Sequence, residues 1–423
     1  MELKRRLLLI ILLIIIPVLI YYPILGHDFL YFWDDQWVVM NHYTSGGLTF
    51  QNIAAIFSDF YHGQYAPFNE MSYLLLYQLD GYNPFWYHLL SLVWHVANVL
   101  LIYHFLNMLL SMHYKERSDK SQIIAFIAAL LLAVHPVNTE PVSWVSASKI
   151  LIYSFFYLWC LLFYLKFLEK KKLRYYVLLL VFFCFSFWGK EQAVTLPLGL
   201  LLIDWFLGRQ LQDKTVWIEK FPVFCLALIF GLITILSQGN GGDAPVYPFF
   251  ERIFLACYTL FEYLIKSILP IKLSYIYPFP YQPQDGMTLY LWIYPFIILF
   301  LFYCLYLARK NKVVAFSAIF FLIHLIVALH IIPISRFAIV ADRYAYLSLV
   351  GISLYISYLL VSLCYKYKMS LSMKKLTCGL FIIYIICLGT YSHLYTKEWE
   401  NTDTLKKHLR EVLDKRTMEN SEK

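Results

Sequence analysis

Long apolar segments recur through almost the whole chain, near residues 7–24, 87–111, 122–135, 150–168, 175–188, 193–207, 221–237, 289–308, 313–332, 345–364 and 376–393. A bilayer core takes about 20 apolar residues per crossing helix. With no water there to satisfy peptide groups, only helices or closed barrels can span it, and unbroken apolar runs exclude the alternation of barrel strands. The sequence therefore predicts an all-α polytopic membrane protein with about 11 spans. Segments 122–135 and 193–207 fall short of a full crossing, so they imply local thinning or helices buried in protein. Composition agrees, since only 15% of the residues are charged where soluble chains carry about a quarter.

The cations give the helices a direction. Alternate connections hold Lys4, Arg5 and Arg6, then Lys115, Arg117 and Lys120, then Lys170 to Lys172 with Arg174. Arg209, Lys214 and Lys220 follow, then Arg309, Lys310 and Lys312, then Lys366, Lys368, Lys374 and Lys375. Between Arg6 and Lys115 there is no Lys or Arg at all. By the positive-inside rule the N-terminus is inside, the tail is outside, and the extracytoplasmic loops lie at about 25–86, 135–149, 238–288 and 332–345. Segment 252–269 is apolar, but Glu262 and Lys266 interrupt it, and making it a span would put Arg309 and Lys310 on the wrong face. It reads as a re-entrant or interfacial helix. The basic start plus Leu7–Ile24 reads as an uncleaved first span. The net charge of +8 is spread over loops and forms no patch interleaved with aromatics, so no nucleic-acid partner is implied. All eight cysteines lie in or beside apolar runs and read as small hydrophobes.

The outer loops hold the unusual polar groups. Asp34 and Asp35 are adjacent carboxylates with no cation nearby in sequence, flanked by Trp33 and Trp37. Adjacent like charges must be solvated, separated or serving a ligand, and the plainer account is a helix cap with a solvated neighbour. Aromatic walls beside a carboxylate suit a sugar or a desolvated base, and equally a headgroup belt. In the second loop Pro136 ends a helix just after His135, and Glu140 faces either the same aqueous cavity as Asp34 or a helix cap with interfacial hydrogen bonds. Lys190 with Glu191 forms a tight turn that an ordinary interfacial ion pair would also explain. Arg336 and Arg343 are placed to grip a phosphate bidentately, or to snorkel towards lipid headgroups. His88 and His95 share a helix face, with Asn98 a turn beyond, and read as interhelical hydrogen bonding ahead of a metal pair. No phosphate loop, nucleotide fingerprint or serine elbow is present.

Trp33-Asp34-Asp35, Asn83-Pro84 to His88 running into His95 to Asn98, His135-Pro136 to Glu140 with Trp144, Lys190-Glu191-Gln192, Leu269 to Ser274 and Asp342-Arg343-Tyr344 occur in this order over about residues 1–400. Together they resemble the GT-C glycosyltransferases, specifically the transmembrane and tetratricopeptide-repeat-containing O-mannosyltransferases and their bacterial relatives. The resemblance implies a GT-C-like helical bundle over 1–395 with a helical first extracytoplasmic loop, and a short tail, 396–423, in place of the family's repeat array. A tail of that length reads as a vestigial repeat that cannot stack into a stable array.

The resemblance also implies a hexosyltransferase, with mannose the sugar that the family's name points to. It would move sugar from a polyprenyl phosphate, undecaprenyl or dolichyl, to a hydroxyl of a protein, glycan or lipid acceptor on the outer face, with inversion. Asp34 and Asp35 would be catalytic, with Trp33, His135 and Glu140 shaping the acceptor site and Arg343, Arg336 and Lys190 holding the donor phosphate. No cofactor is required, and the residues do not decide the need for a divalent metal. A bacterial cytoplasmic membrane is favoured over the endoplasmic reticulum. The other readings are a polysaccharide polymerase or ligase using lipid-linked sugars, and a flippase or transporter for them. A passage across the bilayer would need charges along its path, and here they gather near one face.

Overall fold

The computed structural model describes residues 2–115, 119–238, 247–331, 338–366 and 370–421. Among these, the regular structure is helical, with only two isolated bridges, Tyr61 with Gln64 and Tyr277 with Val340. Six helices are long and apolar enough to cross a membrane: Leu3–Gly26, Pro84–Tyr114, Val145–Lys170, Lys214–Gln238, Leu289–Ala308 and Leu371–Trp399. The chain is thus a multi-pass membrane protein. Asp119–Val134 and Pro136–Ser143 would make a seventh span if taken as one, bent by 55°. The bend sits where Pro136 withholds a backbone donor and ends the incoming helix.

Six or seven is fewer than the 11 apolar segments of the sequence. Leu173–Gly189, Lys312–Ala328 and Leu349–Cys364 are apolar but short, and segment 193–207 becomes a 3-10 turn, Glu191–Thr195, followed by the 11-residue helix Leu196–Phe206. Apolarity alone does not separate a spanning helix from one surrounded by protein. Phe249–Ile268, expected to be interfacial, forms one helix outside the span set. It buries Leu255, Thr259 and Tyr263 and exposes Phe249, Ile253 and Ile268.

Local signals explain the longest helix. Asn83 accepts from the Phe85 amide at 3.2 Å, Pro84 opens the first turn, and Lys115 ends it in the left-handed region at φ 55°. At ~1.5 Å per residue its 31 residues extend roughly 46 Å. Lys149–Lys170 and Leu173–Gly189 pack as a tight antiparallel hairpin. Gly189 permits it, because a Cβ there would lie 2.9 Å from the Tyr153 amide nitrogen.

The first long loop folds into four helices, Asp35–Val38, His42–Ser45, Phe50–Ser58 and Pro67–Asp80. The C-terminal segment clasps its beginning. The Asp28 amide donates to the Glu400 carbonyl at 2.9 Å, the Thr402 hydroxyl donates to the Tyr31 carbonyl at 2.8 Å, and His393 bonds the Ile20 carbonyl at 2.9 Å. Helix Thr402–Ser421 follows, so the tail braces the loop that carries the aspartate pair.

Candidate active site

The two aspartates have opposite fates. Asp35 opens the short helix Asp35–Val38 and is 1% exposed. One carboxylate oxygen accepts from the Leu30 amide at 2.9 Å. The other accepts from the Ser146 amide at 3.0 Å and from the Ser146 hydroxyl. With both oxygens occupied, Asp35 staples the first loop to the segment after residue 140. Burial pushes its pKa up to about 6 against the pull of these donors. Asp34 stands at the N-cap position but makes no capping bond. It is half-buried, and no hydrogen bond or ion pair engages its carboxylate among the described residues. Of the two adjacent carboxylates, one is thus buried and engaged through both oxygens, and the other has no such bond among the described residues.

The groups around Asp34 come from distant parts of the chain. Lys149, 8% exposed, donates to Gln64 Oε1 at 2.6 Å and lies within electrostatic reach of Asp34, Lys190 and Glu191. The buried Tyr275 hydroxyl lies within reach of Asp34, Arg343, Glu140 and Asp35; burial, then Asp34, raises its pKa. Aromatic rings line this space. Trp33 meets Tyr275 edge-on at 4.4 Å, Tyr275 meets Trp144 at 5.3 Å, and Trp144 stacks with Trp399 at 6.1 Å. Trp33 Nε1 and Trp144 Nε1 are buried donors without a partner among the described residues.

Glu140 and Arg343, separated by 203 residues, form one unit. Glu140 is 1% exposed, and its carboxylate takes the Arg343 backbone amide at 2.7 Å and the guanidinium as well. A carboxylate this buried needs a matched cation with hydrogen-bonding geometry. Glu140 was expected to shape the acceptor site; in the structure it anchors Arg343. The guanidinium also lies 5.2 Å over the Trp144 ring and 5.0 Å over Tyr344, as a planar cation prefers. Its side chain keeps 20% of its surface open. Asp342 is buried and accepts from the Tyr277 hydroxyl at 3.1 Å. Burial and the nearby Glu140 charge raise its pKa.

Lys190 pairs with Glu191 at 3.4 Å and sits 5.4 Å over the Tyr344 ring. Tyr344 therefore lies between two of the expected phosphate-binding cations. The third, Arg336, lies outside the described residues. His135 caps a 3-10 turn: its Nδ1 accepts from the Val137 amide at 3.3 Å, and its Nε2 bonds the Ser267 carbonyl at 3.2 Å. Both ring nitrogens are engaged in shaping the loop. His95 and Asn98 bond across helices, to the Tyr346 hydroxyl and the Leu151 carbonyl, each at 2.9 Å. Among the described residues no group of three or more His, Cys, Asp or Glu is arranged to hold a metal.

Sequence reasoning missed Tyr275, Trp399 and Glu70 as members of this region, and gave Lys149, at the end of the polar second loop, no role. Lys149 had a signal, a cation at the mouth of an apolar segment in an otherwise bare outer connection. Glu70 sits on helix Pro67–Asp80, accepts from Asn41 at 3.0 Å, and is pushed up to about 7 by burial. Nothing in its local sequence distinguishes it from a solvated glutamate.

No family model matches the sequence. The chain is similar to several proteins named protein O-mannosyl-transferases. To F38B6.6 of Caenorhabditis elegans it is 25% identical over 285 residues, 62% of this chain and 38% of that protein. To Tmtc3 of Drosophila melanogaster it is 31% identical over 169 residues, 36% and 18% of the two chains. To TMTC4 of Homo sapiens it is 30% identical over 203 residues, 43% and 27%. The matches span less than half the length of these relatives. Concordant similarity to several of them, in a multi-pass helical chain, makes this protein a relative of the TMTC-like O-mannosyl-transferases.

Proposed function

We propose that the protein is a membrane glycosyltransferase of GT-C type that transfers a sugar, mannose by analogy with its relatives, from a polyprenyl phosphate to a hydroxyl of a protein acceptor on the extracytoplasmic face. The carrying observation is that, among the described residues, the Asp34 carboxylate has no hydrogen bond or ion pair, while Asp35 and Glu140 beside it are held by Ser146 and Arg343. A base must be free to take a proton; a positioned one contributes roughly two to four powers of ten in rate.

In this reading Asp34 takes the acceptor hydroxyl proton as the oxygen attacks the anomeric carbon. The bond from that carbon to the lipid phosphate breaks on the opposite side, giving inversion. The electron pair leaves with the phosphate, whose charge Arg343 and Lys190 stabilise, with Arg336 as a further cation. Glu140 holds Arg343 in place and Asp35 holds the loop that presents Asp34. Trp33 and Tyr275 supply an aromatic wall for the sugar. The outward placement rests on the cation asymmetry of the loops. It agrees with a lipid-linked donor that enters sideways at headgroup depth, and the step needs no nucleotide.

The test is to incubate the purified protein with mannose-linked and other polyprenyl phosphates plus candidate acceptors, and to weigh the products. Sugar appearing on a protein hydroxyl supports the reading, and sugar polymer would move it to the polymerase alternative. Transfer by Asp34→Asn at the wild-type rate would remove Asp34 from the mechanism.

A further inference from the structure

A large cavity lies elsewhere in the molecule. It measures about 1080 Å³ and lies between the first helix, Pro84–Tyr114 and Lys149–Lys170, on the side of the basic loops. Its inner walls are apolar, from Leu100, Leu101 and Met108 on one helix to Phe155, Trp159 and Leu162 on the other. From Ala97 to Lys115 it follows one helix for roughly 27 Å at ~1.5 Å per residue. That exceeds one leaflet of a hydrocarbon core about 30 Å thick.

The mouth has the opposite character. Arg6, Lys115, Lys166 and Lys170 line it against two acids, Asp119 and Glu169, and Asp119 is already paired with Arg5 at 2.9 Å. Arg6 and Lys166 come from different helices yet both act electrostatically on His104 between them, with Asn107 one turn further on. The Lys166 ammonium lies 5.9 Å over the Trp159 and Phe163 rings, so its charge sits against the aromatic part of the slot wall. Like charges gathered at the end of an apolar slot repel one another unless an anion lies among them.

From this we infer that the cavity is a binding site for an anionic phospholipid of the inner leaflet, with its phosphate among Arg6, His104 and Lys166 and an acyl chain between the second helix and Lys149–Lys170. The charge selects an anion, and the depth and apolarity below it select a lipid over a soluble phosphate. The site lies at the end of the helices remote from Asp34 and does not depend on the proposed transferase activity. It ties the first helix, which leads into the Asp34 loop, to the hairpin that begins at Lys149.

The full chain, purified in detergent, would be delipidated and given phosphatidylglycerol, phosphatidylcholine or inorganic phosphate, and bound lipid counted by native mass spectrometry. One phosphatidylglycerol per chain should be retained, with phosphatidylcholine weaker and phosphate unable to displace it. Removing two cations with Arg6→Ala and Lys166→Ala should weaken retention about thirtyfold, and Lys166→Arg should preserve it. Ala97→Trp, which fills the slot and leaves every charge, should also expel the lipid. Equal retention of both lipids, displacement by inorganic phosphate, or full retention by the slot-filling variant would each overturn the assignment. An unchanged melting temperature in the variants separates lost binding from lost folding.

Discussion

Two clusters of buried charge sit at opposite ends of helix Leu196–Phe206, and they are built on opposite principles. At and beyond its C-terminal end Asp204, Arg209, Glu219 and Lys220 close on one another. Lys220 contacts Asp204 and Tyr164, Arg209 meets Asp204 at 2.9 Å and Glu219 at 2.6 Å, and the Tyr164 hydroxyl donates to Asp204 at 2.6 Å. Two acids face two bases, and Asp204, Lys220 and Tyr164 are all sealed from solvent. At the other end lie Lys190 and Glu191, and beyond them Lys149, Arg343 and Asp34. There Arg343 has its glutamate, but among the described residues Lys149 hydrogen-bonds the neutral Gln64 and has acids only within longer electrostatic reach, and the Asp34 carboxylate has no hydrogen bond or ion pair. A cluster that neutralises itself is what stability requires of charge away from water. Charge left open requires another explanation, and substrate is the one proposed.

The comparison can be broken most sharply at Asp34. Asp34→Asn should lower sugar transfer by roughly two to four orders of magnitude with the melting temperature unchanged; a large loss of stability instead would make it structural. At the self-neutralised end the signs reverse. Lys220→Met should destabilise the fold by about 3 kcal/mol by stranding part of a buried carboxylate's charge, while leaving transfer measurable at low temperature. Thermal unfolding with and without a compensating Asp204→Leu, read beside the transfer rate, checks both halves.

Arg343→Lys keeps the charge but loses the planar fork that serves Glu140 and a phosphate together. It should cost about a hundredfold in turnover, measured at saturating donor, and less in stability than Arg343→Met. The smallest effect concerns pH. The Asp35 carboxyl lies at about 6 against an ordinary 3.8, so between those values the folded chain holds a proton that the unfolded chain has released. Its contribution therefore falls as pH rises from about 4 to about 6 and is level above. Glu70, at about 7 against 4.5, extends the same decline upward. Melting temperatures across this range should lose part of their slope in Glu70→Gln and in Asp35→Asn, with the Glu70 change acting at the higher pH.

Much of this was legible in residues read along the chain. Trp33 to Asp35, Glu140, Lys190 and Arg343 stand out because charge in an apolar chain is rare enough to notice. What a linear reading lacks is partnership. Glu140 and Arg343 were both visible, but that each is the other's counter-charge depends on a contact across 203 residues. Asp34 and Asp35 are chemically identical neighbours, and the Leu30 amide together with the Ser146 donors, 111 residues away, sets them apart. Tyr275 and Trp399 are two among many aromatics until folding packs both beside Trp144.

By itself the sequence determined the solvent and the helical class, because the hydrophobic effect and the cost of unpaired peptide groups in lipid act segment by segment. The tertiary structure decided which apolar segments are long helices and which are short or broken. It also decided which of two aspartates is a staple and which is left open. Those choices rest on pairings between distant residues, whose energies exist only once burial has removed the water that would otherwise have satisfied each group alone.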